Sequence, residues 1–331
     1  MEVKLSYLDE RRAFSEKNFT ALKALLENIE ERLAGNACVY ATGSYGRLEA
    51  GSQSDLDLFI VAKVEKKRDG TQVSLLSNLD QILIKADLIN AVRALNLPDF
   101  DGDGKYLACH PICDFVSHLG GPEDDYRNTL TGRLLMFLEG RPLAGDKVFD
   151  ELIEEIIAAY FQDYPDHSDS FIPAFLCNDI LRLWRTFCVN YEFSRKKRTV
   201  SAKSGIKNLK LKHSRMLTCY SAIIYMLNAF SVNGTVVTSD ILDMVKLSPL
   251  QRIDSVAENA RSGDLRTIRD DLSSGYASFL QKMDKPQEEL IKDFETHGSD
   301  WTKKSYEFGD NMSRFINQME PDEKFMRLLL I

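Results

Sequence analysis

All strand-like patterns in this 331-residue sequence lie in the first 145 residues. A helical pattern over 9–35 is followed by short apolar runs at CVYAT and DLDLFIVAKV, a second helical stretch over 75–95, and a last plausible strand over 105–116. Beyond residue 145 the apolar residues recur only at helical spacing. The sequence therefore predicts an α+β fold, in which a small mixed sheet with flanking helices precedes an all-α domain.

The boundary between the two parts is predicted at 142–145, where Pro-Leu-Ala-Gly is typical of a junction. We therefore expect one domain over 1–145 and a helical domain over 146–331. No apolar run reaches the roughly 20 residues that span a bilayer. The charged N-terminus lacks the apolar core of a signal peptide. These observations predict a cytoplasmic protein that does not contact a membrane.

The net charge of −8 is unevenly distributed along the chain. Residues 193–239 contain nine Lys and Arg and no Asp or Glu. Overall acidity argues against a general DNA-binding protein, which is usually basic as a whole domain. A local basic segment inside an acidic protein fits a small polyphosphate better. The six cysteines include no C-x-x-C pair, and Cys109, His110 and Cys113 lack a second ligand cluster, so structural zinc is not expected.

The most informative motif joins a Gly-Ser turn to an Asp-x-Asp strand. Gly43 and Ser44 follow an apolar strand, and Asp55 and Asp57 open the next one, in DLDLFIV. Residues i and i+2 of a strand point to one face, so the two carboxylates should lie side by side. A divalent cation relieves their repulsion, and oxygen ligands favour Mg²⁺ or Mn²⁺. A glycine turn at a helix start also lets phosphate oxygens approach backbone N–H groups.

This motif resembles the signature of the DNA polymerase β nucleotidyltransferase superfamily, in which G-S is followed about ten residues later by D-h-D-h, where h is apolar. GSYGRLEAGSQSDLDLFIV is similar to the minimal domain of PII-uridylyltransferases and related bacterial proteins. A weaker similarity covers NTLTGRLLMFLEGRPLAGDKVFDELIEEIIAAYF, LRLWRTF and KNLKLKHSRML. Full PII-uridylyltransferases also carry HD phosphohydrolase and ACT domains, whereas this chain has no His-Asp dipeptide.

The resemblance implies an enzyme that moves a nucleoside monophosphate from an NTP, ATP or UTP, to a hydroxyl of a protein, nucleotide or small molecule, with release of pyrophosphate. It implies two Mg²⁺ or Mn²⁺ ions held by Asp55, Asp57 and a third carboxylate from a later strand. Asp114, a lone acid among apolar residues, is our candidate for that third ligand and for the general base. The competing acidic loop over 99–104 is interpreted as a solvated turn.

Nucleotide-binding residues are expected in both parts of the chain. Gly43, Ser44 and Arg47 are assigned to the turn. In the helical part Lys203, Lys207, Lys210 and Ser214 recur at steps of four, three and four, which indicates one helical face. The resemblance implies that cationic side chains of this domain grip the β- and γ-phosphates, and our candidates are Lys207, Lys210, Arg215, Arg182 and Arg185. The alternative is a solvated basic face.

Two other functions remain open at this stage. A synthase of cyclic or linear oligonucleotide messengers uses the same carboxylates, but releases pyrophosphate from NTPs without an added acceptor. A catalytically silent NTP-binding regulator would bind NTP without turnover. Both acids of D-x-D are intact, which argues against the silent protein.

Overall fold

The computed structural model describes residues 2–100, 104, 107–196, 201–260 and 263–330. The chain divides into two compact units: a mixed unit, Asp9–Ala159, and a helical unit, Met1–Leu8 together with Tyr160–Ile331. The division falls one helix later than the boundary inferred from the sequence. The reason is that the helix after residue 145 packs on the sheet, where the rings of Phe149 and Tyr40 meet edge-on at 5.6 Å.

A four-stranded mixed sheet forms the centre of the mixed unit. Its strands are β1 (Ala37–Thr42), β2 (Asp57–Ala62), β5 (Cys109–Pro111) and β6 (Arg141–Ala144), and a separate hairpin is formed by β3 (Val64–Lys66) and β4 (Gln72–Ser74). The sheet order is β5-β2-β1-β6. Strand β1 pairs antiparallel with β2 and β6, whereas β2 and β5 run parallel. Every residue of β1 is buried, as expected for a central strand.

Strand β6 occupies the segment that the sequence suggested was a domain junction. It pairs Ala41 with Arg141 and Val39 with Ala144, with an irregularity in the register between them. Pro142 cannot donate a backbone hydrogen bond, and an edge strand tolerates this loss. The sequence did not predict this strand, because four residues are too few to show a two-residue period.

The helices of the mixed unit cover the sheet. They are α1 (Glu2–Leu25), whose first residues belong to the helical unit, α2 (Glu27–Leu33), α3 (Gly43–Gly46), α4 (Asn78–Ala94), α5 (Ile112–Ser117), α6 (Pro122–Tyr126), α7 (Thr129–Glu139) and α8 (Asp146–Tyr160). Phe19, Leu22, Leu26 and Ile29 are buried in the same core as β1 and β2. Leu25, which the helical period placed on the same stripe, is instead exposed.

The helical unit contains no strand among its described residues, so the predicted α+β class is confirmed. Its elements are α9 (Tyr164–His167), α10 (Ala174–Lys196), α11 (Ala202–Lys210), a π-helical turn (Leu211–Arg215), α12 (Met216–Asn233), α13 (Thr238–Lys246), α14 (Pro249–Asn259), α15 (Gly263–Met283), α16 (Gln287–Gln318) and α17 (Glu323–Leu330). A core of Leu217, Ile224, Tyr276 and Phe308 joins α12, α15 and α16.

Within the described residues, one helical stretch, Ala202–Asn233, is long and apolar enough to cross a membrane by length and composition alone. More than half of its most apolar window, 56%, is buried inside the protein. Helices that are apolar on most sides also form the centre of helical bundles. The packing of Leu217 and Ile224 with α15 and α16 assigns this stretch to the core of the helical unit.

Candidate active site

Asp55 and Asp57 lie on the same, accessible side of the chain where β2 begins. Strand β2 starts at Asp57, and Asp55 lies just before it in the preceding loop. Leu56 and Leu58 are buried between and after them, whereas Asp55 is partly exposed and Asp57 is exposed. This alternation is the two-residue period predicted from the sequence. The buried leucines anchor the segment, so the two carboxylates are presented from a fixed backbone.

The carboxylate of Asp57 lies against the Gly-Ser turn. Asp57 pairs with Thr42 at the end of the β1–β2 ladder, and Gly43 follows with φ +64°. A β-carbon on Gly43 would stand 2.5 Å from Asp57 Oδ2. Glycine is therefore required at this position by both the backbone conformation and the proximity of the carboxylate. The Asp57 carboxylate and the turn therefore lie in contact.

The turn itself, α3, differs in detail from the expected phosphate cradle. It is a single helical turn, and the Gly43 N–H donates a 2.9 Å hydrogen bond to Glu139 Oε1. That N–H is therefore already used. The hydroxyl of Ser44 makes no hydrogen bond to a described residue, and Ser44 is partly exposed. Of the two turn residues, Ser44 offers the available donor.

Arg47 is buried in an ion-pair network below the turn. Its guanidinium donates 2.5 Å and 2.7 Å hydrogen bonds to Glu49 Oε1 and Glu139 Oε2. All three side chains are less than 9% exposed. Buried charges in proteins are tolerated when they are paired in this way. The geometry therefore makes Arg47 a support of the turn, in contrast to the nucleotide contact inferred from the sequence.

A second set of buried polar contacts holds the loop between the turn and Asp55. The Arg11 side chain donates a 3.0 Å hydrogen bond to the Glu49 carbonyl. Ser15 Oγ accepts a 2.8 Å bond from the Ala50 N–H and donates to the Arg11 carbonyl. Both side chains come from α1 and are buried. Helix α1 therefore fixes the loop that separates Ser44 from Asp55.

Asp114 does not join the two acids. The strand predicted over 105–116 is shorter than expected: among the described residues of that range only Cys109–Pro111 is extended, and Asp114 lies in helix α5. Strand β5 runs parallel to β2 and pairs Ala62 with Pro111. Asp57 is at the other end of β2. At roughly 3.3 Å per residue, it lies about 17 Å along the strand from Ala62. Asp114 follows Pro111 in helix α5, and among the described residues it forms no metal-holding group with Asp55 and Asp57.

Within the described parts of the chain, no group of three His, Cys, Asp or Glu side chains is arranged to hold a metal ion. Asp101 and Asp103 of the acidic loop lie outside the described residues. Two carboxylates still fit one hydrated Mg²⁺, which is commonly held by one or two carboxylates together with substrate phosphates. Cys109, His110 and Cys113 form no metal site either.

The basic residues inferred to bind phosphate lie in the helical unit. Lys203, Lys207 and Lys210 are exposed on α11. Ser214, expected on the same face, is buried and accepts a 3.1 Å hydrogen bond from the Tyr276 hydroxyl. The π turn that begins at Leu211 adds a residue to the helical repeat, so the side chains after it leave the lysine face.

The three arginine candidates differ in their surroundings. Arg185 is exposed on α10. Arg182 pairs with Asp179 at 3.2 Å, and the Arg215 guanidinium lies 5.1 Å from the centre of the Phe187 ring. A phosphate-binding role for these arginines and for Lys207 and Lys210 stays a prediction.

Sequence reasoning missed the residues that support the site. Glu139, Glu49, Arg11 and Ser15 were not singled out, although each is buried in contact with the turn or its loop. A signal was present for Glu139, since it is a single acid at the end of the apolar run LLMFLE. Acids in such positions are rarely buried unless they are paired.

Comparison with known proteins agrees with this geometry. No curated protein and no solved structure gives a significant match to the chain. Residues 22–151, which include the turn, both acids and Glu139, match the family model described as a nucleotidyltransferase domain. The match does not single out the PII-uridylyltransferase-like subgroup. Residues 22–151 thus match a nucleotidyltransferase domain of the polymerase β superfamily, and a mostly helical region follows them in this chain.

Proposed function

We propose that this protein transfers a nucleoside monophosphate from an NTP to a hydroxyl acceptor and releases pyrophosphate. The observation that carries the proposal is the position of Asp57, whose carboxylate lies against Gly43 while Asp55 shares its exposed side. A bound divalent cation, Mg²⁺ or Mn²⁺, would neutralise the two acids and polarise the phosphate oxygens. Asp55 and Asp57 would be its protein ligands.

The other residues of the site are proposed to position the phosphates and the turn. Ser44 offers its hydroxyl to a phosphate oxygen, and the missing side chain of Gly43 keeps the space beside Asp57 open. Glu139 and Arg47 hold the turn in place through buried ion pairs. Phosphoryl transfer needs little covalent help from the protein, so positioning and electrostatic stabilisation carry most of the catalysis. The proposal assigns Asp114 and Arg47 no contact with the nucleotide.

Substrate and location follow from the charge pattern. The basic segment in an otherwise acidic chain supports an NTP, ATP or UTP, as the polyphosphate partner. The acceptor is a protein, a nucleotide or another small molecule. The net negative charge of the chain supports a cytoplasmic protein that does not bind membranes and is not a general DNA-binding protein.

Label transfer tests the proposal. The purified protein is incubated with each α-labelled NTP and Mg²⁺ or Mn²⁺, with and without cell extract, beside an Asp55→Asn, Asp57→Asn double variant. We expect labelled product and pyrophosphate from the wild type in the presence of extract, and none above background from the double variant. Equal labelling by both proteins would remove the two acids from the reaction.

A nucleotide-binding regulator is the second candidate, and one observation favours it. No third metal-ligand side chain joins Asp55 and Asp57 among the residues the structure describes. This candidate predicts saturable NTP binding without pyrophosphate release in any arm of the experiment. Release from pure protein and NTPs alone would instead indicate an oligonucleotide synthase.

A further inference from the structure

The helical unit contains a cavity of its own, between the π turn and helices α15 and α16. Its volume is about 470 Å³. Small-molecule sites in proteins range from roughly 300 to 1,000 Å³. Ser274, Gly275 and Ser278 face the cavity from one side of α15, where larger side chains would fill the space. The cavity is therefore open because the residues on that face of α15 are small.

One wall of this cavity is aromatic. The ring of His213 is stacked on Phe279 with 4.4 Å between centroids and 3° between planes. The ring of Phe308 lies 4.9 Å from the same imidazole. Trp301 also lines the cavity. Walls of this kind favour a planar ring as ligand, because stacked rings gain both contact area and favourable quadrupole interactions.

His213 presents a hydrogen-bond acceptor in this wall. The side chain is only 4% exposed, and Nδ1 donates a 2.8 Å hydrogen bond to the Leu209 carbonyl. Burial lowers the pKa of His213 to about 4, so the ring is neutral at pH 7. The proton is then on Nδ1, and Nε2 carries a lone pair. Nε2 has no hydrogen-bond partner in the part of the chain that the structure describes.

The π turn explains how a histidine reaches this position. His213 is the central residue of Leu211–Arg215, whose wider helical repeat rotates the side chains relative to α11. Such single π turns are often found at functional sites. Lys210, just before the turn, is exposed, whereas His213 is buried against Phe279.

The charged groups at the cavity balance. Asp271 and Glu307 contribute two negative charges, and Lys282 and Lys304 two positive ones. Lys304 is paired with Asp300 at 2.9 Å, and the Lys282 ammonium lies 5.2 Å from the Trp301 ring. A polyphosphate would need an excess of cations, which this lining does not have. Carboxylates and an unprotonated imidazole instead accept hydrogen bonds from N–H and O–H groups.

We propose that this cavity binds a free nucleobase or a nucleoside, a planar heterocycle that carries N–H donors and no net charge. The ring stacks on the aromatic wall and donates to His213 Nε2, while Asp271 and Glu307 accept further N–H or ribose O–H groups. This site lies wholly within the helical unit and is distinct from Asp55 and Asp57. The inference goes beyond the proposed function and does not depend on it.

Trp301 fluorescence provides the test, because the chain has only two tryptophans. In a Trp184→Phe background, Trp301 reports the cavity alone. Adenine, cytosine, adenosine and cytidine are titrated separately, with calorimetry on the wild type as a second readout. We expect saturable binding of at least one probe with Kd below roughly 100 μM. Tighter binding of a nucleoside than of its base would show that the sugar contributes.

Three variants link the binding to the cavity. His213→Phe keeps an aromatic ring but lacks Nε2, and it should weaken binding about tenfold. Asp271→Asn alters an exposed lining acid and should also weaken it. Asp310→Asn makes the same charge change on an exposed residue of α16 that does not line the cavity, and it should leave the Kd unchanged.

Several results would overturn the proposal. One is the failure of all four probes to give saturable binding. Another is an unchanged Kd in both His213→Phe and Asp271→Asn, with Asp271→Asn decisive if circular dichroism shows that His213→Phe does not fold. A third is loss of binding in Asp55→Asn, because the probe would then occupy the mixed unit. Loss of label transfer without loss of probe binding would count only against the proposed function.

Discussion

Asp57 Oδ2 lies 2.5 Å from the position that a β-carbon on Gly43 would occupy. Strand β2 and the turn after β1 thus meet at one close contact, set by the pairing of Asp57 with Thr42. Because the Asp57 carboxylate lies so close to Gly43, there is no space for a side chain at position 43 between Asp57 and the turn. Any change of that glycine must displace the carboxylate.

Gly43→Ala should therefore lower the rate of NMP transfer strongly, while it lowers the free energy of unfolding only modestly. The new methyl group pushes the Asp57 carboxylate aside, and a misplacement of about 1 Å can lower a rate roughly 100-fold. Gly35→Ala is the matched control, since Gly35 also has positive φ, +69°, but a β-carbon there meets nothing within 4 Å. Each variant should lose about 1 kcal/mol of unfolding free energy for its backbone strain. Initial rates of labelled product are compared, and equal rates in the two variants would count against the contact.

Asp114→Asn should leave transfer within about threefold of wild type, whereas Asp57→Asn should abolish it. The reason is that Asp114 lies in helix α5 and forms no metal-holding group with Asp55 and Asp57 among the described residues. The same assay with both single variants decides the matter. A loss of about 100-fold or more in Asp114→Asn would return this residue to the reaction.

Glu139→Ala should destabilise the mixed unit by about 3–5 kcal/mol, because it leaves the buried Arg47 with one carboxylate partner instead of two. Glu123→Ala is the control, since Glu123 pairs with Arg127 in an exposed i,i+4 contact whose loss costs less than about 1 kcal/mol. Urea unfolding of both variants gives the comparison. Similar losses in the two would show that the buried network contributes little.

The stability of the protein should depend on pH through His213. Burial lowers its pKa from 6.5 to about 4 in the folded state. Below pH 6.5 the unfolded chain binds a proton at this residue that the folded chain does not, so unfolding becomes easier as pH falls towards 4. The full effect is about 3 kcal/mol, present above pH 6.5 and lost at about pH 4.

Urea unfolding at pH 7 and 4.5 measures this effect. Wild type should lose about 2–3 kcal/mol more between the two pH values than His213→Phe, which has no group to titrate there. The carboxylates contribute equally to both proteins and cancel in the comparison. An identical loss in the two proteins would mean that His213 titrates normally.

The parts of the site that the sequence predicted are those encoded within a few residues. The alternation of exposed and buried side chains over residues 55–58 is a local pattern, and the structure has it. The need for glycine in a tight turn is also local, and Gly43 has the positive φ that such a turn requires. The helical character of the second half of the chain was also predicted, although the π turn that moves Ser214 off the lysine face was not. These features depend on backbone repeat and do not require knowledge of a partner strand.

The parts that were missed depend on pairing between distant segments. Asp114 looked like a strand acid, but its position is set by where β5 stops and α5 begins. Arg47 looked like a phosphate ligand until Glu139, 92 positions away, was found beside it. Strand β6 was hidden because only its pairing with β1 makes four residues a strand. Such relations become visible only when the chain is folded.

The central claim is that Asp55 and Asp57 hold a divalent cation together with NTP. Electron paramagnetic resonance of Mn²⁺ measures this directly, since bound Mn²⁺ loses its free-ion signal. With ATP or UTP present, the wild type should bind Mn²⁺ at least ten times more tightly than the Asp55→Asn, Asp57→Asn double variant, a difference of about 1.4 kcal/mol or more. Equal Mn²⁺ affinity in the two proteins would contradict the account.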